Sequence, residues 1–167
     1  ISGTGFTVNG AGSIHLGNDL VHTFSGDFVF SNGTITGGSS TLRLGGTTSV
    51  TGGNFNAGTG TVEFYGGSQD VPGTTYHNLT ISGGSTKSVI NNHIRINGNL
   101  TLNNGILSLG NHDLTLGLGS STNGSFSETS MIDIGTRTIV KEGNSASDFI
   151  LTLPVGNGTA YTPVHIA

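Results

Sequence analysis

Nine carboxylates are the residues of this chain that could do acid–base chemistry. They are spread thinly, without an Asp-x-Asp or a Glu-x-x-His spacing: Asp19, Asp27, Glu63, Asp70, Asp113, Glu128, Asp133, Glu142 and Asp148. Glycosidases and polysaccharide lyases need two or three convergent acids, or a base with a cation. An isolated Asp beside Gly and Asn is typically a turn residue that hydrogen-bonds its own backbone. The sequence therefore predicts a protein that is not an enzyme, with a lyase or glycosidase as the alternative.

The six histidines do not form a metal-ligand pair at helical spacing. His15, His93 and His165 alternate with apolar neighbours, which predicts that they lie on outward strand faces. Turn carbonyls and aspartates supply the oxygen ligands that calcium prefers, and Asp113 and Asp133 are the first candidates. The Gly-Gly-x-Gly-x-Asp nonapeptide of calcium-binding β-rolls does not occur. We therefore expect no cofactor, with calcium as the alternative.

Aromatic residues beside polar groups are the third kind of candidate site, because binding sites combine aromatic walls with a few polar contacts. The chain has three tyrosines, eight phenylalanines and no tryptophan. Tyr65 and Tyr76 flank one strand-like stretch, and an exposed pair there would form a platform for a sugar ring. A carbohydrate-binding or carbohydrate-cleaving module is therefore the alternative function.

The composition is that of a folded chain with little charge. It has 167 residues, enough for one domain, with 30 glycines, 8% charged and 32% hydrophobic residues. A disordered chain normally carries more charge, so this composition argues against disorder. The net charge is −4 and the basic residues are scattered, which argues against a nucleic-acid partner. No apolar run is long enough to span a membrane, and the absence of cysteine excludes disulfides and thiolate metal sites.

Short strand-like runs recur along the chain, bounded by Gly, Asn, Ser or Asp, and no window shows helical periodicity. In TVEFY and YHNLTI, strict alternation of apolar residues indicates strands with one buried face. We expect Glu63 to be an ordinary surface residue, and Gly66–Gly67 and Gly83–Gly84 to be corners. One shared core is predicted for the apolar positions of these and the following runs: Val62, Phe64, Leu79, Ile81, Leu100, Leu102, Leu107, Leu109, Leu114 and Leu116.

An internal repeat favours a stacked architecture. Residues 26–45 align without a gap on residues 98–117, an offset of 72, and the apolar register is kept. Apolar pairs advance about seven residues at a time, so three sides would close a rung of roughly 21–24 residues, within the solenoid range. The offset would then be three rungs of about 24 residues or four of about 18.

These patterns predict an all-β chain that forms a right-handed parallel β-helix, or β-solenoid. The alternative is an antiparallel β-sandwich, because Asn32-Gly33 and Asn104-Gly105 are strong hairpin signals. Asn-Gly also suits a tight solenoid corner, which needs left-handed backbone geometry too. We expect a solenoid repeat region over 1–125. Residues 126–167 would be terminal strands or the start of the next β module, which could be a sandwich.

The segment from Gly58 onward is similar in its motifs to a known family. GTVEFYGGSQDVPGTTYHNLTISGG followed by INGNLTLNNGILSLGNHDLTLG resembles the β-strand repeat regions of very large surface proteins secreted by Bacteroidetes. MIDIGTRTIVKEG and FILTLPVGNGTAYTPVHI resemble the strands that open the next module in that family. The likeness covers residues 58–167 well and residues 1–57 in style.

The resemblance implies an extracellular, cell-surface or adhesin-like protein exported by the type IX secretion route. The chain begins at Ile1 and stops just after YTPVHI, and we expect it to be a segment of a longer polypeptide. Its expected function is that of a non-catalytic structural or display module of a surface fibre. Its expected partners are neighbouring modules of the same chain, and surface glycans or other cells.

Overall fold

The structure is a computed structural model that describes residues 1–143 and 151–166. The described residues form 25 short β-strands and no helix, so the all-β prediction is confirmed. No helix among them is therefore long and apolar enough to cross a membrane.

The strands follow one another in turns of three. Turn 1 contains β1 (Ser2–Gly3), β2 (Phe6–Val8) and β3 (Ser13–His15), and turn 2 contains β4 (Val21–Phe24), β5 (Phe28–Phe30) and β6 (Thr34–Thr36). Turn 3 contains β7 (Thr41–Leu44), β8 (Thr48–Val50) and β9 (Asn54–Asn56), and turn 4 contains β10 (Thr61–Phe64), β11 (Gln69–Pro72) and β12 (Thr75–Tyr76). Turn 5 contains β13 (Asn78–Ser82), β14 (Thr86–Ile90) and β15 (Ile94–Ile96), and turn 6 contains β16 (Asn99–Asn103), β17 (Ile106–Ser108) and β18 (Leu114–Leu116). Turn 7 contains β19 (Ser121–Gly124), β20 (Ile132–Asp133) and β21 (Ile139–Lys141). The last strands are β22 (Leu151–Leu153), β23 (Val155–Asn157), β24 (Ala160–Tyr161) and β25 (Val164–Ile166).

Most strands pair in parallel with their equivalents one turn away, which builds three faces. The first face is one continuous seven-stranded sheet in the order β1-β4-β7-β10-β13-β16-β19. The second face consists of β2-β5-β8 and then β11-β14-β17-β20-β23, and the third of β3-β6-β9 and then β12-β15-β18-β21. The chain is therefore a parallel β-solenoid of about seven turns, as predicted.

The core runs along the inside of the three faces. Leu42, Val62, Leu79 and Leu100 are direct register partners on successive turns of the first face, so they stack into one buried column. All ten residues of the predicted shared core are buried, and this prediction is confirmed. A shift of one residue would bring the polar set inward instead, which is why strict alternation is informative.

The corners carry the glycines that tight turning requires. Gly66–Gly67 lies between β10 and β11, and Gly83–Gly84 between β13 and β14, as expected. Gly83 has φ +74°, and a Cβ there would lie 1.8 Å from the carbonyl oxygen of Tyr65 on the preceding turn. A side chain is therefore excluded at this corner both by conformation and by the close stacking of turns.

The internal repeat has a different origin from the one predicted. Leu42 lies on the first face, whereas Leu114, with which the offset of 72 aligns it, lies on the third face. Three turns along the first face, from Leu42 to Leu100, take 58 residues, and four turns, from Leu42 to Thr122, take 80. The prediction of three rungs of 24 or four of 18 is wrong. All three sides use the same short strand unit, so one side can align with another.

Antiparallel pairing is confined to the C-terminal part of the described chain. Asn32-Gly33 and Asn104-Gly105 are corners between successive faces of the solenoid, not hairpin turns. Parallel pairing continues past residue 125 through β20, β21 and β23. Among the described strands, the antiparallel pairs are β22 with β25 and β23 with β24. The described residues after 125 therefore first complete the seventh turn and then form terminal strands.

Candidate functional site

The solenoid is interrupted on two of its three faces between turns 3 and 4. On the first face, β7 and β10 pair in full register. On the second face, β8 and β11 lie side by side but do not form a ladder, and on the third face β9 and β12 lie farther apart. The two turns are therefore joined on one side and separate towards the other.

Pro72 explains part of this break. The N–H of Gly73 donates to the carbonyl oxygen of Ile90 at 2.8 Å, so Gly73 faces turn 5. Because N–H direction alternates along a strand, Pro72 occupies the position that faces β8, and proline has no N–H to donate. Its carbonyl oxygen accepts a hydrogen bond from the Tyr76 hydroxyl at 2.8 Å. Turn 4 is also short, since only 17 residues separate the register partners Thr61 and Asn78.

The break opens a cleft of about 790 Å³ into the core. Its walls are buried apolar side chains of turns 2 to 4, among them Phe28, Phe30, Leu42, Phe64, Pro72 and Tyr76. The volume lies within the range of roughly 300–1,000 Å³ typical of ligand sites. We name this space the core cleft.

Polar groups mark the rim and one point of the wall of the core cleft. Asn91, a turn-5 corner residue with φ +71°, donates from Nδ2 to the carbonyl oxygen of Val50 at 3.3 Å, bridging over turn 4. Thr48 is 3% exposed, and its Oγ1 has no hydrogen-bond partner among the described residues. Of the described residues that line the core cleft, Asp70 alone is charged, and it lies exposed at the rim.

The two tyrosines do not form the exposed pair that a sugar platform requires. Tyr76 is 3% exposed, its ring lines the core cleft, and burial raises the pKa of its hydroxyl. Tyr65 is half-buried, with the guanidinium carbon of Arg43 4.9 Å from its ring centroid and its hydroxyl donating to Phe24 O at 3.3 Å. The carbohydrate-binding alternative stays a prediction, without this pair as its site.

Several carboxylates serve to connect neighbouring turns. Glu63 accepts from Arg43 Nε at 2.6 Å on turn 3 and from Ser82 Oγ at 2.7 Å on turn 5. The hydrogen bond that Arg43 donates to Glu63 and the negative charge of Glu63 raise the pKa of Arg43. With its side chain only 18% exposed, Glu63 is not the ordinary surface residue that the sequence suggested. Alternation correctly gives its outward direction but does not reveal its partners in adjacent turns.

A second ion pair spans a longer distance along the stack. Arg95 on turn 5 binds Glu142 through both terminal nitrogens, at 2.7 and 2.6 Å. The hydrogen bond from Arg95 is the main reason that the pKa of Glu142 is lowered. Both residues are on the surface, so the pair contributes little to stability in salt solution.

The remaining acidic residues bind polar groups of the following turn or lie at the surface. Asp19 and Asp27 accept from Ser39 Oγ and Thr47 N on the following turn, at 2.9 and 3.1 Å. Glu128 is exposed, and Asp148 lies outside the described residues. The prediction that the chain is not an enzyme stays a prediction.

The first calcium candidates also act within the stack. Asp113 accepts from Thr138 N at 3.0 Å, and Asp133 accepts from Gly158 N and Ser108 Oγ, both at 3.2 Å. Within residues 1–143 and 151–166, no three His, Asp or Glu side chains lie close enough together to hold a metal ion. His15, His93 and His165 are exposed, as predicted. Calcium binding stays a prediction.

Two lysines, one buried and one half-buried, bind carbonyl oxygens in a way that the sequence did not predict. Lys87 is fully buried at an inward position of β14, and its Nζ donates to the carbonyl oxygens of Gly66, Ser82 and Gly84. Burial lowers the pKa of this ammonium. Lys141 repeats the arrangement at the Gly117–Leu118 corner, with 2.5 and 2.9 Å to the two carbonyl oxygens. Both lysines therefore bind backbone carbonyl oxygens at or next to corners.

Comparison of the chain with protein-family models, with curated proteins and with solved structures finds no match.

Proposed function

We propose that this chain is a non-catalytic structural or display module of a large extracellular, adhesin-like surface protein. The observation that carries the proposal is the first face, which runs unbroken through seven strands in parallel register. Its residues Ser2, Thr23, Arg43, Glu63, Thr80, Thr101 and Asn123 form one in-register column along the whole stack.

A spacer needs stiffness along its axis. Backbone ladders supply it here, and side-chain bonds such as those between Arg43, Glu63 and Ser82 link three successive turns. The seven strands are separated by six spacings of about 4.8 Å, which place Ser2 and Asn123 roughly 29 Å apart. The outward positions are mostly Ser, Thr and Asn, which keep the surface soluble without strong charge.

Neighbouring modules of a longer chain are the proposed partners. The strands at each end of the stack carry backbone groups that face away from the solenoid and can pair with another strand. The terminal antiparallel strands β22 to β25 fit a transition towards a following module. The likeness to secreted Bacteroidetes repeat regions supports an extracellular location and export by the type IX route.

Double electron–electron resonance on spin-labelled protein tests the stiffness that a spacer requires. The chain has no cysteine, so Ser2→Cys with Asn123→Cys introduces the only two labelling sites. We expect one narrow distance distribution near 29 Å, apart from the label linkers. The control pair Ser2→Cys with Thr80→Cys spans two fewer turns, so its distance should be about 10 Å shorter than that of the first pair. A broad distribution, or no difference between the pairs, would contradict a stiff stack.

Immunolabelling of intact source cells tests the proposed location. A surface module should be labelled equally in intact and permeabilised cells, and proteinase added outside the cells should remove the signal. Labelling that appears only after permeabilisation would contradict the display function. The stiffness measurement does not depend on this result.

A further inference from the structure

The geometry points to a strand-binding slot on the third face, between β9 and β12. We propose that it takes an extended peptide segment of another protein, which adds its backbone between the two strands. An apolar side chain of the peptide would enter the core cleft. This inference is independent of the proposed spacer function, because it rests on the break between turns 3 and 4 alone.

The upper edge of the slot is the unpaired side of β9. Asn54 donates its N–H to Gly33 O at 2.9 Å, and Asn56 accepts from Gly37 N at 2.7 Å. Both residues therefore face turn 2. Since the direction of backbone groups alternates along a strand, the N–H and C=O of Phe55 face the slot. They have no hydrogen-bond partner among the described residues.

The lower edge is the unpaired side of β12. Arg95 N donates to Thr74 O and Asn97 N donates to Tyr76 O, both at 3.0 Å, so Thr74 and Tyr76 face turn 5. By the same alternation, the N–H and C=O of Thr75 face the slot and have no partner within the described part of the chain. Thr75 is exposed, so these groups are open to an incoming strand.

An extended peptide has N–H and C=O groups on both sides, so it can pair with the N–H and C=O of Phe55 on one edge and of Thr75 on the other. In strand addition, main-chain hydrogen bonds hold the peptide and pockets for alternate side chains select its sequence. A cavity of about 270 Å³ lies between the edges, lined by Asn54, Asn56 and Thr75 among others. Phe55 lines both this cavity and the core cleft, so the two spaces adjoin.

The chemistry of the lining defines the peptide. Inward side chains of an inserted strand would meet the aromatic walls of the core cleft, which suit a Phe or Leu. Asp70 carries the charge at the rim, and the chain has a net charge of −4. A neutral or basic segment is therefore favoured, and a second copy of this acidic chain is disfavoured.

Fluorescence anisotropy with a defined probe tests the proposal. The probe is fluorescein-labelled Lys-Thr-Thr-Phe-Thr-Thr-Lys, and its control carries N-methyl groups on Phe and on both adjacent threonines. We expect saturable binding of the probe, and binding at least about tenfold weaker for the N-methylated control, because the control cannot donate to the slot. Replacing the central Phe by Ala should also weaken binding about tenfold or more. Absence of saturable binding, or equal binding of the N-methylated control, would overturn the proposal.

A matched pair of protein variants locates the binding. Thr75→Pro removes an N–H that faces the slot without removing an existing ladder bond, whereas Thr75→Val keeps it. We expect Thr75→Val to bind the probe like the unmodified protein and Thr75→Pro to bind at least about fivefold more weakly. Equal binding by both variants would overturn the assignment to this slot. If Thr75→Pro does not fold, the N-methylated peptide decides. Dimerisation of the unmodified chain that competes with the probe would assign the slot to a second copy and overturn the proposal.

Discussion

Phe64 and Glu63 are neighbours in β10, with Phe64 facing the core and Glu63 facing outward. Substituting each of them measures what the inner and the outer side of the first face contribute to the free energy of unfolding. Phe64 is fully buried and forms part of the core-cleft wall. Truncating a buried Phe to Ala costs about 3–5 kcal/mol through lost burial and the cavity left behind. The void at Phe64 would join the existing cleft and could not collapse, so we expect about 4 kcal/mol for Phe64→Ala.

Glu63→Gln should cost less, although more than an ordinary surface change. Arg43 and Ser82 donate to different oxygens of the Glu63 carboxylate. The substitution removes the negative charge and leaves one acceptor oxygen, so an amide oxygen that still accepts from Ser82 no longer accepts from Arg43. Because the pair is partly exposed and screened, we expect about 1 kcal/mol.

Urea unfolding followed by circular dichroism measures both free energies of unfolding, provided that the denaturant slopes are equal. Thr101→Val, at an outward position of the same column, is the control and should stay within about 0.5 kcal/mol of the unmodified protein. If Glu63→Gln were as damaging as Phe64→Ala, burial would not be the main source of stability in this stretch. The assignment of the stretch as a structural face would then be wrong.

The buried polar groups give two further predictions. Lys87→Met should destabilise the protein by about 2–4 kcal/mol, because three corner carbonyls lose their donor. The more exposed Lys141→Met should lose less in the same urea experiment, and the reverse order would contradict this role. Burial raises the pKa of Tyr76, so the folded state keeps a proton that the unfolded state releases above about pH 10, and stability should fall as the pH rises beyond that value. Tyr76→Phe should lose about 1 kcal/mol at pH 8 and show a weaker fall in unfolding midpoint between pH 9 and pH 11, whereas an unchanged fall would show that Tyr76 is not its source.

The core and the corners could be predicted from the sequence because they depend on local patterns. Val62, Phe64, Leu79 and Ile81 alternate with polar residues, and a strand of period two has only one way to bury such a set. Gly83–Gly84 marks a corner because left-handed backbone geometry favours glycine. The length of a turn was less accessible, since the three sides resemble one another and any side can align with any other.

The features of the candidate site depend on which residues meet from different turns. The burial of Tyr76 and Lys87 follows from contacts to Pro72 and to three corner carbonyls, and none of these contacts follows from spacing along one strand. The residue type alone shows that Pro72 cannot donate to a ladder. Whether it faced turn 3 or turn 5 could be decided only from the hydrogen bond of Gly73.

The most direct test of the account compares amide hydrogen exchange on the two sides of the same boundary between turns. The N–H of Tyr65 donates to Leu44 O at 3.0 Å across turns 3 and 4 on the first face, whereas the N–H of Thr75 faces the slot on the third. Exchange resolved by nuclear magnetic resonance should show Tyr65 protected at least about a thousandfold and Thr75 exchanging nearly as fast as an unstructured amide. Equal protection of both amides would contradict the break, and an unprotected Tyr65 would contradict the continuous first face.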